Sequence, residues 1–441
     1  MHLKHRRVRF IGIQASLLLC TVQVIMITHV WSFFHGSSKA LFLKSRAVNP
    51  TRTMFSFQTR SALMKMISTG TTAFDKKLFQ KKIEVLALKV NKRETEQYIK
   101  KLNPYLLSMP TKRRVLNYPA SPKTSNLILF SPHVTCLESL PQASRDFLER
   151  MEYEFSSHLL SLGYNDLSVQ EVLQELLPEG VQVPSSFEAA GHICHLNLRE
   201  QQLPFKEIIG QVILDKHPKT LRTVVNKVGK ITSQFRTFEM EVIAGDSDMI
   251  VEVKEQDARL RFDFSKVYWN SRLQAEHARL VSLFQPEDLI CDMFCGVGPF
   301  AVPAAMKGCN VLANDLNPNS YHYLQENIRQ NKVSKRVLTY NMDARDFIRT
   351  IVFDQNVDHI IMNLPDSSIQ FLDVFKEIKY SSQTQIHCYC FSSSIDPESD
   401  AINRIEDVLD LKLKRKDVKT HQVRGVSPTK VMLCISFCPF S

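Results

Sequence analysis

The stretch from Leu289 to Asn319, LICDMFCGVGPFAVPAAMKGCNVLANDLNPN, limits what this chain can fold into more than any other. It reads as a strand, a glycine turn, a helix, a second strand, and an acidic residue where that second strand ends. Leu289, Ile290, Met293 and Phe294 make a short apolar run. Gly296 and Gly298 lie in a turn where side chains would block the approach of the backbone to a ligand, and Phe300 to Met306 continues as a helix. Val311 to Ala313 form the next buried strand, followed by Asp315. An acidic side chain there, about 20 residues beyond the turn, is placed to accept hydrogen bonds from both hydroxyls of a ribose. The stretch predicts an adenosine-type cofactor.

What is missing narrows the cofactor. A dinucleotide fold carries G-x-G-x-x-G, with a helix N-terminus aimed at a pyrophosphate and a third glycine for close helix packing. Here the third position is Ala301, and the turn reads Gly-Val-Gly-Pro-Phe. Asp292 stands four residues before Gly296, where a carboxylate meets a cationic ligand better than a diphosphate. S-adenosylmethionine has a ribose, an adenine, an ammonium and a sulfonium, and no phosphate. It suits these residues better than a nicotinamide cofactor does.

With 441 residues the chain has room for two or three domains. Its 44% hydrophobic and 23% charged residues exclude a disordered chain. The net charge of +11 is misleading, because residues 1–74 hold ten of the 56 Lys and Arg and no Asp or Glu, leaving 46 basic against 45 acidic residues in the body. Any nucleic-acid surface must therefore come from local clustering. Ten cysteines are scattered without C-x-x-C spacing, so they read as reduced, buried small hydrophobes, and no metal site is expected.

The acid-free first 74 residues, with scattered Arg, Ser and Thr, have the composition of a mitochondrial matrix-targeting leader. The apolar run from Phe10 to Phe34 also approaches the length of a secretory signal or membrane span. It is broken by Gln14, Gln23, Thr28 and His29, so no stable membrane association is expected. A shorter form starting at Met54, Met64 or Met66 would change the destination, to nucleus or cytoplasm among others.

Residues 75–264 read as a mixed α+β region without a glycine-turn motif. Strands are expected over Ile83 to Val90, Asn126 to Phe130, Gly191 to Leu198, Phe238 to Ile243, Met249 to Val253 and Arg259 to Phe264. Helices are expected over Glu94 to Leu107, Ser144 to Leu162, Val169 to Leu177 and Ile208 to Leu214. Basic groups punctuate the region: Lys100 and Lys101; Lys112, Arg113 and Arg114; Lys216, Lys219 and Arg222; Lys227, Lys230 and Arg236. Such grouping is compatible with phosphate contacts, and solvated faces produce it too. His192 and His195, three apart on a strand, would point to opposite faces and are not a metal pair.

From Ser265 to the C-terminus, strands alternate with helices, which means a parallel sheet with ligands beyond its carboxyl ends. Asp315, Asp343 and Asn363 all fall at such ends.

In order across both halves, GHICHLNLREQQLPFKEIIGQVILDK, FDFSKVYWNSRLQAEH, DMFCGVGPFAVPAA, ANDLNP, MDARDF and IIMNLP resemble the eukaryotic and archaeal tRNA (guanine-37-N1)-methyltransferases. The resemblance covers about residues 180–437. It implies an α/β class I (Rossmann-like) methyltransferase domain over 265–441 with an upstream α+β RNA-binding domain over 75–264. It also implies a monomer that methylates N1 of the guanine 3′ of the anticodon from S-adenosylmethionine, supporting reading-frame maintenance. A close relative with the same fold and cofactor is the wybutosine-pathway aminocarboxypropyl transferase; a non-catalytic tRNA-binding module is the rival of another class.

Residue by residue, the resemblance puts Glu276 at the general base, Arg236 near the target guanine, and Asn363 with Pro365 at the active-site Asn-Pro element. Tyr268 and Arg272 belong to the substrate side. His277, Asp315, Leu316, Asp343, Ala344 and Asn363 fall where the family contacts S-adenosylmethionine, beside the glycine turn of Gly296 and Gly298. Cys295 departs from a smaller residue and is expected to pack behind the cofactor. The chemistry asks for these types independently. N1 of guanine is protonated at neutral pH, so attack on a methyl group needs a base, which Glu276 supplies if burial raises its pKa. The charge that then develops on O6 needs a donor such as Arg236 or the Asn363 amide. The base must also be turned out of its stack, with Tyr268 and Trp269 as walls.

Overall fold

The computed structural model describes residues 75–109, 111–229, 234–377 and 383–439. The expected leader and Lys230 of the last basic cluster lie outside the described residues.

The first sheet holds β1 (Lys81–Asn91), β2 (Val115–Asn117), β3 (Ser125–Leu129) and β4 (Glu154–Leu162) in the order β2-β3-β1-β4, all antiparallel. Helix α1 (Thr95–Leu102) covers one face, with Tyr98 and Leu102 against Leu88, Val90, Ile128 and Phe130. The helix expected to reach Leu107 ends early because Pro104 opens a 3-10 turn at Asn103–Tyr105. Nor is Ser144 to Leu162 one helix: α2 (Gln142–Leu148) gives way to β4, which pairs with β1 from Lys89↔Glu154 to Lys81↔Leu162. Leu160 and Leu162 bury beside Val85 and Ala87, while Phe155 and Leu159 stay 55% and 57% exposed. Tertiary pairing to β1 thus overrides the helical spacing of these leucines.

Helix α3 (Val169–Leu176) starts at a reciprocal cap in which Ser168 and Glu171 satisfy each other's backbone N–H. It packs with α4 (Lys206–Lys216) on one face of a second sheet, β5 (Glu188–Ala190), β6 (Ile193–Leu196), β7 (Thr223–Val228) and β8 (Glu239–Gly245). Alternation divides that sheet. Cys194, Leu196 and Val224 face the helices, whereas Ile193 and Val225 join the apolar cluster beneath the hairpin of β9 (Ile250–Glu255) and β10 (Ala258–Asp263). The same cluster contains Phe284, Ile290, Val297 and Ala301, so the second sheet and the C-terminal half share one core.

After α5 (Gln274–Leu283) comes a seven-stranded sheet ordered β13-β12-β11-β14-β15-β17-β16. Its strands are β11 (Leu289–Asp292), β12 (Asn310–Asn314), β13 (Val337–Tyr340), β14 (His359–Met362), β15 (Gln385–Ser392), β16 (Lys419–Ser427) and β17 (Lys430–Phe437). The first five in that order are mutually parallel, and β17 runs antiparallel to both of its neighbours. Helices α6 (Ala301–Lys307), α7 (Pro318–Gln330), α8 (Ala344–Phe347) and α9 (Pro397–Leu409) fill the connections. Asn317 caps α7 with Pro318 at its first position, and Gly308, at φ 106°, ends α6 in a left-handed turn. Strand order reverses between β11 and β14, which opens a crevice at their carboxyl ends. This is the class I (Rossmann-like) architecture expected, with α+β structure upstream.

Candidate active site

A cavity of about 680 Å³ lies in that crevice. Its floor is built from strand ends. Asn314, fully buried, donates its side-chain amide to the carbonyls of Met293 (3.2 Å) and Met342 (3.1 Å) and accepts from the Met342 N–H at 3.1 Å. One side chain thereby ties together the loops after β11, β12 and β13. Nothing in the sequence singles out Asn314 except its place beside Asp315.

Asp315 accepts from the Gly296 N–H and from the Asn317 N–H, each at 2.8 Å. Burial lifts its pKa, and those two backbone donors oppose the shift. A carboxylate offers about four lone-pair sites, so capacity stays open towards the cavity even with the Ser320 side chain bonding as well. The two glycines of the turn serve different ends. Gly296, at φ 54°, lines the cavity, and a Cβ there would meet nothing within 4 Å. Gly298, at φ 97°, lies off the cavity; a Cβ there would strike Leu324 at 2.8 Å and Val302 at 2.9 Å. The first leaves open space for a ligand and the second lets α7 close on α6.

Beneath the wall formed by Met293 and Phe294, Asp292 is completely buried; one oxygen accepts weakly from the Phe294 N–H at 3.4 Å and the other has no partner. Burial, with Asp315 nearby, pushes its pKa up to about 8. An orphaned buried carboxylate is stabilised by a cation. Together with the ribose acceptors of Asp315 and the empty cradle at Gly296, it fits S-adenosylmethionine. Leu316, Asp343 and Ala344 complete this end of the wall; Asp343 also caps α8 by accepting from the Arg345 N–H at 2.8 Å. Cys295 is buried at 1% exposure in the core behind the turn.

The other end is made by Asn363, Leu364, Pro365, Tyr268, Trp269, Phe371, Phe391 and Arg236. Ser368 pins the Asn-Leu-Pro turn by accepting from the Leu364 N–H at 2.9 Å and donating to the Met362 carbonyl at 2.7 Å. Among the described residues the Asn363 amide has no hydrogen-bond partner. Arg236 arrives from the segment before β8 with a left-handed backbone, φ 58°. Its guanidinium pairs with Asp366 and donates to Ser367 at 3.3 Å, so it sits over the Asn-Leu-Pro turn. Asp366, Phe371 and Phe391 are site residues that sequence reasoning missed, since loop side chains far apart in the chain leave no periodic signal.

Glu276, His277 and Arg272 are not part of the cavity's wall. His277 is buried at 3% exposure and holds Glu255 of β9 through Nδ1 at 2.6 Å, with its ring edge-on to Phe300 at 4.8 Å. It clamps the hairpin to α5. Arg272 pairs with Glu188 at 2.6 Å beside a neighbouring cavity. Glu276 is 4% exposed, and its oxygens accept two bonds from Arg279, at 2.6 and 2.7 Å, and one from the Tyr389 hydroxyl at 2.7 Å. The half-exposed His421 lies 3.2 Å away. Tyr389 and Cys434 are paired across β15 and β17, as are Phe391 and Met432 of the cavity wall. Residues two apart share a sheet face, so Glu276 lies on the cavity's side of the sheet, outside its lining.

Known proteins resemble this chain over both of its halves. The TRM5/TYW2 methyltransferase domain family matches residues 251–418, and the TYW2 N-terminal domain family matches residues 169–248. A protein of Phytophthora infestans named tRNA (guanine(37)-N(1))-methyltransferase is 46% identical over 380 residues, spanning 82% of this chain and 91% of that one. The crystal structure of Trm5b from Pyrococcus abyssi, 27% identical, superposes over 80% of this chain and 99% of its own with a TM-score of 0.59. The complex of aTrm5 with tRNALeu, at 23% identity and a TM-score of 0.58 over 80% of this chain and 98% of its own, shares the fold. By its sequence, matched over 91% of the Phytophthora infestans protein's length, the chain belongs to the TRM5/TYW2 methyltransferase family.

Proposed function

We infer that this protein binds tRNA and transfers a methyl group from S-adenosylmethionine to N1 of guanine 37, the base 3′ of the anticodon. The observation that carries this is the 46% identity extending over 91% of a relative of that name. When bound, S-adenosylmethionine supplies a methyl group on a cationic sulfur. Asp315 takes the ribose hydroxyls, Gly296 gives the backbone room to approach, and Asp292 balances the cationic end.

The guanine enters the half of the cavity walled by Tyr268, Trp269 and Phe391. Loss of the N1 proton sends negative charge to O6, where the Asn363 amide and the Arg236 guanidinium donate to it in the manner of an oxyanion site. Glu276 takes the proton. Arg279 and Tyr389 hold its carboxylate in place, on the sheet face that also carries Phe391. Pro365 and Tyr268 fix the plane of the base.

The test is nucleoside mass analysis after incubating the full chain with unmodified tRNA and S-adenosylmethionine. The expected product is 1-methylguanosine at position 37; an aminocarboxypropyl adduct, or tRNA binding without product, would refute the assignment.

The acid-free leader supports action in the mitochondrial matrix, with shorter forms serving nucleus and cytoplasm, and the resemblance supports a monomer. Imaging of the tagged full chain tests the first, and sedimentation of the protein with and without tRNA tests the second. Among the described residues no helix is long and apolar enough to cross a membrane.

A further inference from the structure

A second cavity, of about 460 Å³, adjoins the first. The two share one wall, made by Glu188, His195 and Lys227 on β5 to β7 and by Phe238 just before β8. Its far side is polar, with Ser185, Asn197, Arg199 and Gln202. Of the residues given a role above, Arg272 alone lines it.

The charges on the shared wall do not balance. Glu188 is engaged by Arg272 at 2.6 Å. His195 is held neutral, its pKa brought down to about 4 by burial and then by Lys227 and Arg272. Half-buried Lys227 has its ammonium 4.3 Å from the Phe238 ring centroid, and among the described residues no carboxylate lies within ion-pairing distance. Desolvation lowers its pKa, and the Glu188 charge only partly offsets that. Across the second cavity Arg199 donates to a neutral partner, Gln182, at 2.6 Å. A partly desolvated cation with no anion is costly until an anion arrives.

A guanine turned out into the catalytic cavity stays tied to its neighbours through phosphodiesters, so its entry brings phosphate to the rim. Arg424 and Lys430 line the catalytic cavity as well, with Lys430 4.0 Å from Asp366, but Lys227 is the cation that stands on the wall shared with the second cavity. Resting on the methyltransferase reading above, we propose that Lys227 holds the phosphodiester joining the target guanosine to one adjoining nucleotide, and that the second cavity receives that nucleotide. Phosphate contact gives position, and the amides and hydroxyls of the far side contact the adjoining base or its sugar. The enzyme then grips a dinucleotide step, not a lone guanine.

The experiment uses the full chain, tRNA transcripts and labelled S-adenosylmethionine, with KM and kcat measured separately. Wild-type protein is given native tRNA, tRNA made abasic at the 5′ or the 3′ neighbour of the target, and tRNA with a methylphosphonate at either flanking phosphate. One abasic neighbour and the phosphate on the same side are expected to raise KM for tRNA about tenfold each, with kcat within about twofold. Lys227→Gln is expected to raise KM about tenfold on native tRNA but no further on the matching methylphosphonate tRNA, and Lys227→Arg to restore it. Unchanged S-adenosylmethionine affinity shows that the variant is folded; should it not fold, the wild-type series decides. Equal effects of Lys227→Gln on native and methylphosphonate tRNA, or no effect of either abasic neighbour, would overturn the proposal. Wild-type protein that does not methylate native tRNA would instead refute the reading beneath it, and the proposal with it.

Discussion

The two ends of the catalytic cavity are built on different principles. At the cofactor end, Asp315, Gly296 and Asn314 are fixed by backbone hydrogen bonds to the ends of three strands, and the open valences point inward. At the base end, Arg236 on the wall and Glu276 off it are each held by other side chains: Asp366 in one case, Arg279 and Tyr389 in the other. A site made of strand ends is ready before its ligand comes, whereas a site made of ion-paired side chains must exchange partners. The cofactor end should therefore fail in binding and the base end in turnover.

Glu276→Gln offers the severest test of that division, because it removes the proton acceptor and leaves the shape. Turnover should fall about 10²- to 10⁴-fold with S-adenosylmethionine affinity unchanged. Single-turnover rates matching wild type would take Glu276 out of the base role. Next, Asn363→Ala should lower kcat about 10²- to 10³-fold, the usual effect of losing one donor to a developing oxyanion. A KM effect alone would make Asn363 a mere binding group.

On the cofactor side the expected losses are smaller and appear as affinity. Asp315→Ala removes two charge-assisted hydrogen bonds to the ribose and should weaken S-adenosylmethionine about 100-fold by calorimetry. Retained affinity would move the ribose elsewhere. The mildest change concerns pH. Asp292 titrates near 8, so below that pH it is largely protonated and gives a cationic ligand little help. Affinity should rise about tenfold from pH 7 to pH 9 and level off as ionisation completes. In Asp292→Asn this rise should vanish, and a surviving rise would assign it to another group.

How much of this was legible in the chain depends on what kind of interaction decides each piece. The parallel strands β11, β12 and β14 are short apolar runs buried on both faces, and they read directly. Asp315, Asp343 and Asn363 follow from them because a strand end is a place in sequence as well as in space. Edge strands do not read this way. β16, Lys419–Ser427, carries Lys, Thr, His, Gln and Arg on an exposed edge, so nothing apolar marks it. β4 was hidden by leucines whose spacing suits a helix until β1 lies alongside. The Arg236 to Asp366 pair spans 130 residues, and neither partner announces the other. Glu276 and His277 were recognised as a motif, yet only packing reveals that one is held by Arg279 and Tyr389 and the other clamps the hairpin.

The arginine that completes the Asn-Leu-Pro turn comes from the part of the chain before the seven-stranded sheet begins. Cutting the protein ahead of β9 would spare Asp315, Gly296 and Asn314 and take away the cation waiting for the nucleobase. Such a fragment could be loaded but never fired, which ties the survival of the upstream half to chemistry as well as to grip.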